Sequence, residues 1–396
     1  MTVLTVNAGS SSLKFALYPV NGTIADSATL AGTVEGLESD APLALSWRAE
    51  NQSGQEHIDV IADDPFEDAL KALQSLLQQA LPGRDLQAVA HRVVHGGEAY
   101  RDAVKVDVDI LSRLSDLSPL APLHQPHNIE GIRAFGRAFP EVPHIACFDT
   151  AFHAGIPDVE HLFALPRALG KQGIRRYGFH GLSYQYVMQK LKRLSDRAQG
   201  RVVMAHLGNG ASLCGALEGQ SMATTMGFSA LDGLMMGTRS GSLDAGVLLH
   251  LMAQGWDHAR LQDLLYRQSG LLGVSGISAD MRRLRASGEA DANLAIRMFT
   301  HRVIREAGAM AACLGGLDVL AFTGGIGEHD PVLRAEVCER LGFLGVVLDH
   351  EKNRQHTAAQ AVSLHEAAST VEVWMIPTDE GRVAAQAAAA LLQAQA

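Results

Sequence analysis

Apolar and polar positions change their period several times along this chain. Residues 3–6 and 13–18 are strand-like runs joined by Asn7-Ala8-Gly9-Ser10-Ser11-Ser12, and Asn21-Gly22 offers a turn after the second. The spacing then becomes helical, with Phe66, Leu70, Leu73, Leu77 and Leu81 on one face. Asp64-Pro65-Phe66-Glu67 supplies a capping residue, a first-turn proline and a capping-box acid for that helix. Buried-type strands end near Val94 and Phe148, with a helix near residues 128–139 between them. Later, Ala295, Phe299, Val303, Met310 and Leu314 mark a helix that leads into a strand at Val319–Thr323. Residues 32–57 show no clear period. The alternation predicts α/β layers, and residues 383–396 read as a packed closing helix, alanine-rich and shorter than the ~20 apolar residues that span a bilayer.

A faint internal repeat organises this alternation. Residues 202–207, Gly208-Asn209-Gly210-Ala211-Ser212 and residues 213–217 replay the strand, small-residue turn and strand of the N-terminus, with Ser12-Leu13 falling on Ser212-Leu213. Two related halves predict a duplicated domain with a cleft between the copies.

Composition narrows the chemistry. A length of 396 residues exceeds what one core usually organises, and 47% hydrophobic residues with 39 glycines suit an α/β enzyme rather than a disordered chain. The net charge of −10 opposes extended binding to nucleic acid or an anionic membrane. The four cysteines, Cys147, Cys214, Cys313 and Cys338, lie far apart with no C-x-x-C spacing, which suggests reduced thiols and the cytoplasm. The first residues enter a strand directly, without the basic and apolar regions of a signal peptide.

In the first hairpin, a regular strand would project Ser10, Ser12 and Lys14 to one face and Leu13, Phe15 and Leu17 to the other. Backbone N–H groups near Gly9, the hydroxyls and the Lys14 charge could hold a phosphate; a tight hairpin with an exposed lysine fits as well. The motif is not a Walker A loop, because it lacks G-x-x-x-x-G-K-[ST] and continues into a strand. Two more glycine turns, at His206-Leu207-Gly208-Asn209-Gly210 and Gly324-Gly325-Ile326-Gly327-Glu328, follow strands where α/β sheets bind ligands. His91 and His95, at i and i+4 on a strand, would stand ~13 Å apart and share no metal.

Taken together, Val6-Asn7-Ala8-Gly9-Ser10-Ser11-Ser12-Leu13-Lys14, His91-Arg92-Val93-Val94-His95-Gly96-Gly97 and Gly237-Thr238-Arg239-Ser240-Gly241 resemble the acetate kinase family. Phe148-Asp149-Thr150-Ala151-Phe152-His153, Tyr177-Gly178-Phe179-His180-Gly181, Asp280-Met281-Arg282 and Asp379-Glu380-Gly381 appear in the family's order, so the resemblance spans nearly the whole chain. It implies the actin-like, sugar-kinase-like ATPase fold: two duplicated RNase H-like halves at residues 1–149 and 150–383, a nucleotide cleft between them, and a last helix at 384–396 that packs back on the first. It also implies reversible, Mg2+-dependent transfer of the ATP γ-phosphoryl group to acetate, giving acetyl phosphate and ADP, with Mn2+ able to replace Mg2+, in a homodimer.

By the same resemblance, Arg92 faces the substrate, Arg239 stabilises the transition state, His180 donates to the transferring phosphoryl group, and Asp149 has an acid/base role. A carboxylate substrate is already an anion near neutral pH, so the expectation here is that Asp149 orients substrate, metal or Arg92. Asn7 and Glu380 match the metal positions. Lys14, His206, Leu207, Gly208, Asn209, Gly210, Asp280, Met281, Arg282, Gly325, Ile326, Gly327, Glu328 and His329 line the nucleotide, and Val94, Leu123 and Phe179 wall the substrate methyl group. The chain departs from the family pattern at Ala230, where proline is common, at Ser242, which replaces an aspartate, and at His329, where asparagine is frequent. A smaller Ala230 makes propionate the nearest alternative substrate, while Val94 leans toward acetate. An actin-like switch that uses ATP without transferring phosphate is the reading from another class; it needs none of Arg92, Asp149, His180 and Arg239.

Overall fold

Strand β1 (Thr2–Ala8) is buried on both faces, its Thr2 and Thr5 included. The computed structural model describes residues 2–9, 11–21, 23–37, 42–50, 52–61, 65–81 and 86–395. Ser10, Gly22 and Asp64, which carried parts of the sequence reading, lie outside them.

In chain order the further strands are β2 (Ser12–Asn21), β3 (Thr23–Ile24), β4 (Leu30–Glu35), β5 (Ala44–Ala49), β6 (Ser53–His57), β7 (Leu86–Val93), β8 (Val104–Lys105), β9 (His144–Phe148), β10 (Arg201–Leu207), β11 (Ala211–Leu217), β12 (Gln220–Thr224), β13 (Val319–Thr323), β14 (Val362–Ser363) and β15 (Glu372–Met375). Among the described residues they form two sheets, ordered β6-β5-β4-β2-β1-β7-β9-β8, with β3 on β2, and β12-β11-β10-β13-β15-β14. The segments β4-β2-β1-β7-β9 and β12-β11-β10-β13-β15 share one plan: three antiparallel strands, then two parallel ones. This is the RNase H-like topology in duplicate, so the α/β class and the duplication are both present. Counted from the turns, Ala8 pairs with Leu13 and Leu207 with Ala211. The literal match of Ser12-Leu13 to Ser212-Leu213 is therefore displaced by two residues, a shift that keeps each side chain on its face.

The chain divides into two compact units, Met1–Ala151 with Asp379–Ala396, and Phe152–Thr378. In the first, the helix Pro65–Ala80 buries Leu70, Leu73 and Leu77 as its spacing predicted, and packs with the helix Gln125–Ala138. The closing helix runs from Glu380 to Gln395, laying Val383, Ala384, Ala385, Ala388 and Ala389 on β1 and β7. Its alanines let helix and sheet backbones approach closely.

The segment 32–57, which showed no period, holds most of β4 and all of β5 and β6. Within β4 and β5 the buried apolar side chains are Leu30, Val34 and Leu45, too sparse a set to signal strands. Register supplies the order instead: Phe15 pairs with Gly32, and a side-chain carbon on Gly32 would collide with the Phe15 ring and the Ser46 carbonyl. No helix among the described residues is long and apolar enough to cross a membrane.

Candidate active site

In the first unit, β1, β7 and β9 are parallel neighbours or continue into loops that carry the predicted residues at their carboxyl ends. Arg92, the penultimate residue of β7, directs Nε to Asp149 Oδ1 at 3.0 Å and Nη2 to Asp149 Oδ2 at 2.6 Å. Its Nη1 lies 2.9 Å from Glu380 Oε2, at the start of the closing helix. The fork is bidentate on a carboxylate only 2% exposed. Burial by itself would lower the Arg92 pKa, but the charges of Asp149 and Glu380 and the Asp149 hydrogen bonds raise it above the ordinary arginine value. Asp149 is thus in direct contact with Arg92, one of the three groups it was expected to orient.

Asn7 is half-buried and pairs across the hairpin with exposed Lys14; Ser12 is half-buried on the same side, while Leu13, Phe15 and Leu17 turn inward. Val94 and Leu123 are both half-buried. The residues that brace this end were not singled out in sequence. Asn128 accepts from Val94 N at 2.9 Å and donates to Ala8 O at 2.8 Å, tying the loops after β7 and β1 together. Gln125 holds both the N–H and the carbonyl of His95, and Thr150 Oγ1 accepts from Gly96 N. Buried amides at the start of a helix are visible in sequence only as polar interruptions of an apolar face. His91 is used in packing: its Nε2 lies 2.9 Å from His144 Nδ1, and its ring meets Phe135 edge-on. Burial, with His144 beside it, pushes its pKa well down.

In the second unit, Phe179 is buried and His180 follows in the left-handed conformation, φ 59°, at the start of the helix Gly181–Leu194. His153 sets this turn by bonding Phe179 O through Nε2 at 2.9 Å, while its Nδ1 lies 2.8 Å from Ser221 Oγ. His180 stacks on His206 with ring centroids 4.2 Å apart. His206 Nδ1 in turn meets Ser183 Oγ at 2.8 Å, and Ser183 Oγ meets Thr378 Oγ1.

The turn after β10 connects these histidines to Arg239. A side-chain carbon placed on Gly210 would sit 3.3 Å from His180 Nε2 and 3.9 Å from Arg239 Nη1, so both nitrogens border one space that a glycine leaves open. Asn209 O accepts from Gly237 N at 2.9 Å, joining this turn to the Arg239 loop. Arg239 Nη1 donates to Ala230 O at 3.0 Å; burial lowers its pKa, with Tyr266 acting in the opposite direction. The same loop is held by Arg176 and Ser242, which both reach Asp232, and by Ser242 Oγ accepting from Gly233 N. The departures at 230 and 242 thus both fall on the support of Arg239.

Where the sequence suggested a glycine turn, β13 passes directly into the short helix Gly324–His329, which adjoins the β10 turn, a carbon on Gly208 falling 3.9 Å from Gly325 N. Gly325 and His329 are exposed, Ile326 is half-buried and Gly327 buried. Glu328 Oε1 takes the N–H groups of Gly324 and Thr378, and His329 Nδ1 lies 3.0 Å from Gly325 O. Leu207 is fully buried. Asp280 caps the helix Met281–Ser287 and grips Arg282, whose hydrogen bond pulls the Asp280 pKa down to about 2; Met281 faces the core.

Residues 2–386 match the model of the acetokinase family. The chain is 48% identical over 384 residues to the acetate kinase of Rhodopseudomonas palustris (strain ATCC BAA-98 / CGA009), covering 96% of this chain and 95% of that one. Among solved structures it resembles an acetate kinase of Porphyromonas gingivalis (TM-score 0.87, 35% identity, 99% of each chain). It also resembles a propionate kinase of Francisella tularensis subsp. tularensis SCHU S4 (TM-score 0.89, 35% identity, 98% of each chain). With its own fold, residue pattern and near full-length relatives in agreement, the chain belongs to the acetokinase family.

Proposed function

We propose that this protein is an acetate kinase, transferring the γ-phosphoryl group of ATP reversibly to acetate to give acetyl phosphate and ADP. The observation that carries the reading is the shared space beside Gly210, bordered by His180 Nε2 and Arg239 Nη1. Phosphoryl transfer asks for positioned donors around three charged oxygens and little covalent chemistry from the protein. An acetate oxygen attacks phosphorus in line, the bond from phosphorus to the bridging oxygen breaks, and ADP leaves with the electron pair.

Of the residues that the family resemblance assigns to the substrate, Arg92, with Asp149 fixing its orientation, Val94 and Leu123 belong to the first unit, and His180, Arg239 and Phe179 belong to the second. Lys14, the turn His206 to Gly210, the start of the helix at Asp280 and the short helix at Gly325 to His329 serve the nucleotide. Glu328 does so indirectly, because its Oε1 braces the backbone of that helix. Asn7 and Glu380 would hold Mg2+. An amide oxygen and one carboxylate suit a cation that keeps several waters, and no cluster of three or more metal-type ligands stands among the described residues. Bound there, the ion would supply positive charge that offsets the charge of the nucleotide phosphates.

Purified protein given Mg-ATP and acetate, propionate or butyrate, with acyl phosphate trapped by hydroxylamine, is expected to show its highest kcat/KM with acetate and none after chelation by EDTA. A propionate preference would transfer the name to propionate kinase, the second reading, which the Francisella structure and Ala230 favour. Absence of acyl phosphate with all three acids would leave the nucleotide-switch reading.

A homodimer is the assembly we favour. The helix Ala245–Ala253 buries none of its residues, and Leu243, Val247, Leu249 and Met252 are 40–68% exposed, an apolar surface that a second copy would cover. Sedimentation is expected to show a dimer that Leu249→Glu converts to monomer; a monomeric wild type at micromolar concentration would end this assignment. The free cysteines, three of the four buried, support a cytoplasmic location, which recovery of the protein in an envelope fraction would reverse.

A further inference from the structure

His180 can contact a phosphoryl oxygen usefully only if its Nε2 carries a proton, and neutral imidazole carries one proton on either nitrogen. The choice is made on the other side of the ring. His180 Nδ1 lies 2.8 Å from Ser212 Oγ on β11, and Ser212 Oγ lies 2.5 Å from Tyr184 Oη on the helix Gly181–Leu194. Ser212 and Tyr184 are fully buried.

The direction of these bonds follows from counting donors. The Tyr184 oxygen is bonded to Ser212 Oγ. Its own O–H must go to an acceptor, since a buried hydroxyl hydrogen without one is costly. Ser212 Oγ is the acceptor in reach among the described residues. Burial, then the neighbouring Cys214, holds the Tyr184 pKa well above its ordinary value, so the phenol keeps that hydrogen at neutral pH. With the tyrosine donating into it, the Ser212 hydroxyl turns its own hydrogen to His180 Nδ1.

We infer that Tyr184 and Ser212 are positioning residues for phosphoryl transfer, a directed chain Tyr184→Ser212→His180 that fixes His180 in the Nε2–H tautomer facing the space beside Gly210. The inference rests on the proposed role of His180. It adds residues for which the sequence offered no chemical signal: Ser212 stood out only as part of a repeated hairpin, and Tyr184 reads as an ordinary buried helix residue.

The tautomer can be read without any activity. In protein labelled with nitrogen-15 histidine, with the His180 resonances assigned by their loss in His180→Gln, wild type is expected to show a protonated Nε2 and an unprotonated Nδ1 near neutral pH. Ser212→Ala should mix the two tautomers and lower kcat about tenfold, as loss of one hydrogen bond implies. The KM values for ATP and acetate should stay within about twofold. Tyr184→Phe, which keeps the serine hydroxyl but frees its direction, should fall between Ser212→Ala and wild type. A protonated Nδ1 in wild type, or full turnover in Ser212→Ala, overturns the proposal while His180 keeps its role. Near-normal kcat in His180→Ala overturns that role and, with it, the catalytic part of the proposal.

Discussion

Arg239→Ala is expected to lower kcat by about 10²–10³, the usual loss when one charge-assisted transition-state donor is removed. The guanidinium is anchored on one side by Ala230 O and borders the space beside Gly210 on the other. Burial lowers its pKa, but a guanidinium keeps its charge in proteins. Charge on the equatorial oxygens changes during transfer, so the interaction should matter more to kcat than to either KM. Arg239→Lys should recover only part of the loss, since an ammonium group keeps the charge but not the planar fork. Steady-state rates at saturating ATP and acetate, with thermal melting to show that the fold persists, measure this. Turnover within tenfold of wild type in the alanine variant would remove Arg239 from the transition state.

Sequence reading succeeded where chemistry and position coincide. Alternation in β2 placed Lys14 opposite Leu13 and Phe15, and the motif around Arg92 sits at the carboxyl end of a strand. The reading was blind where order comes from pairing: β5 and β6 lie outside β4 at the edge of the first sheet, with few buried side chains. It was equally blind to groups that act through others. Asn128 and Gln125 hold two loops by their amides, and Ser183 and Ser212 each meet an imidazole, yet their partners lie far away in sequence and no local pattern marks them. The arginines and the histidine proposed to contact substrate belong to contiguous motifs; the groups bonded to them come from distant positions brought together by the sheets.

Arg92→Ala is expected to damage both stability and catalysis, and the two effects separate in a double variant. Asp149 is 2% exposed and receives three hydrogen bonds from the guanidinium. Taking one member from a buried ion pair typically costs about 3–5 kcal/mol, because the carboxylate must protonate or draw in water. For a unit of this size each kcal/mol moves the midpoint by about 2–4 °C, so a fall of roughly 10 °C in Tm is expected in thermal melts. Replacing both residues, Arg92→Ala with Asp149→Asn, removes the buried charge and should restore much of that loss. It should not restore kcat/KM for acetate, which is expected to fall about a hundredfold or more when the guanidinium proposed to hold the substrate carboxylate is absent. Asp149→Asn alone tests the orienting role. A residue that only orients Arg92 passes no proton, so the variant should turn over more slowly while keeping the shape of the wild-type pH profile. A lost limb in that profile would mean that Asp149 moves a proton after all, and a double variant no more stable than Arg92→Ala would mean that the buried charge is not what the arginine offsets.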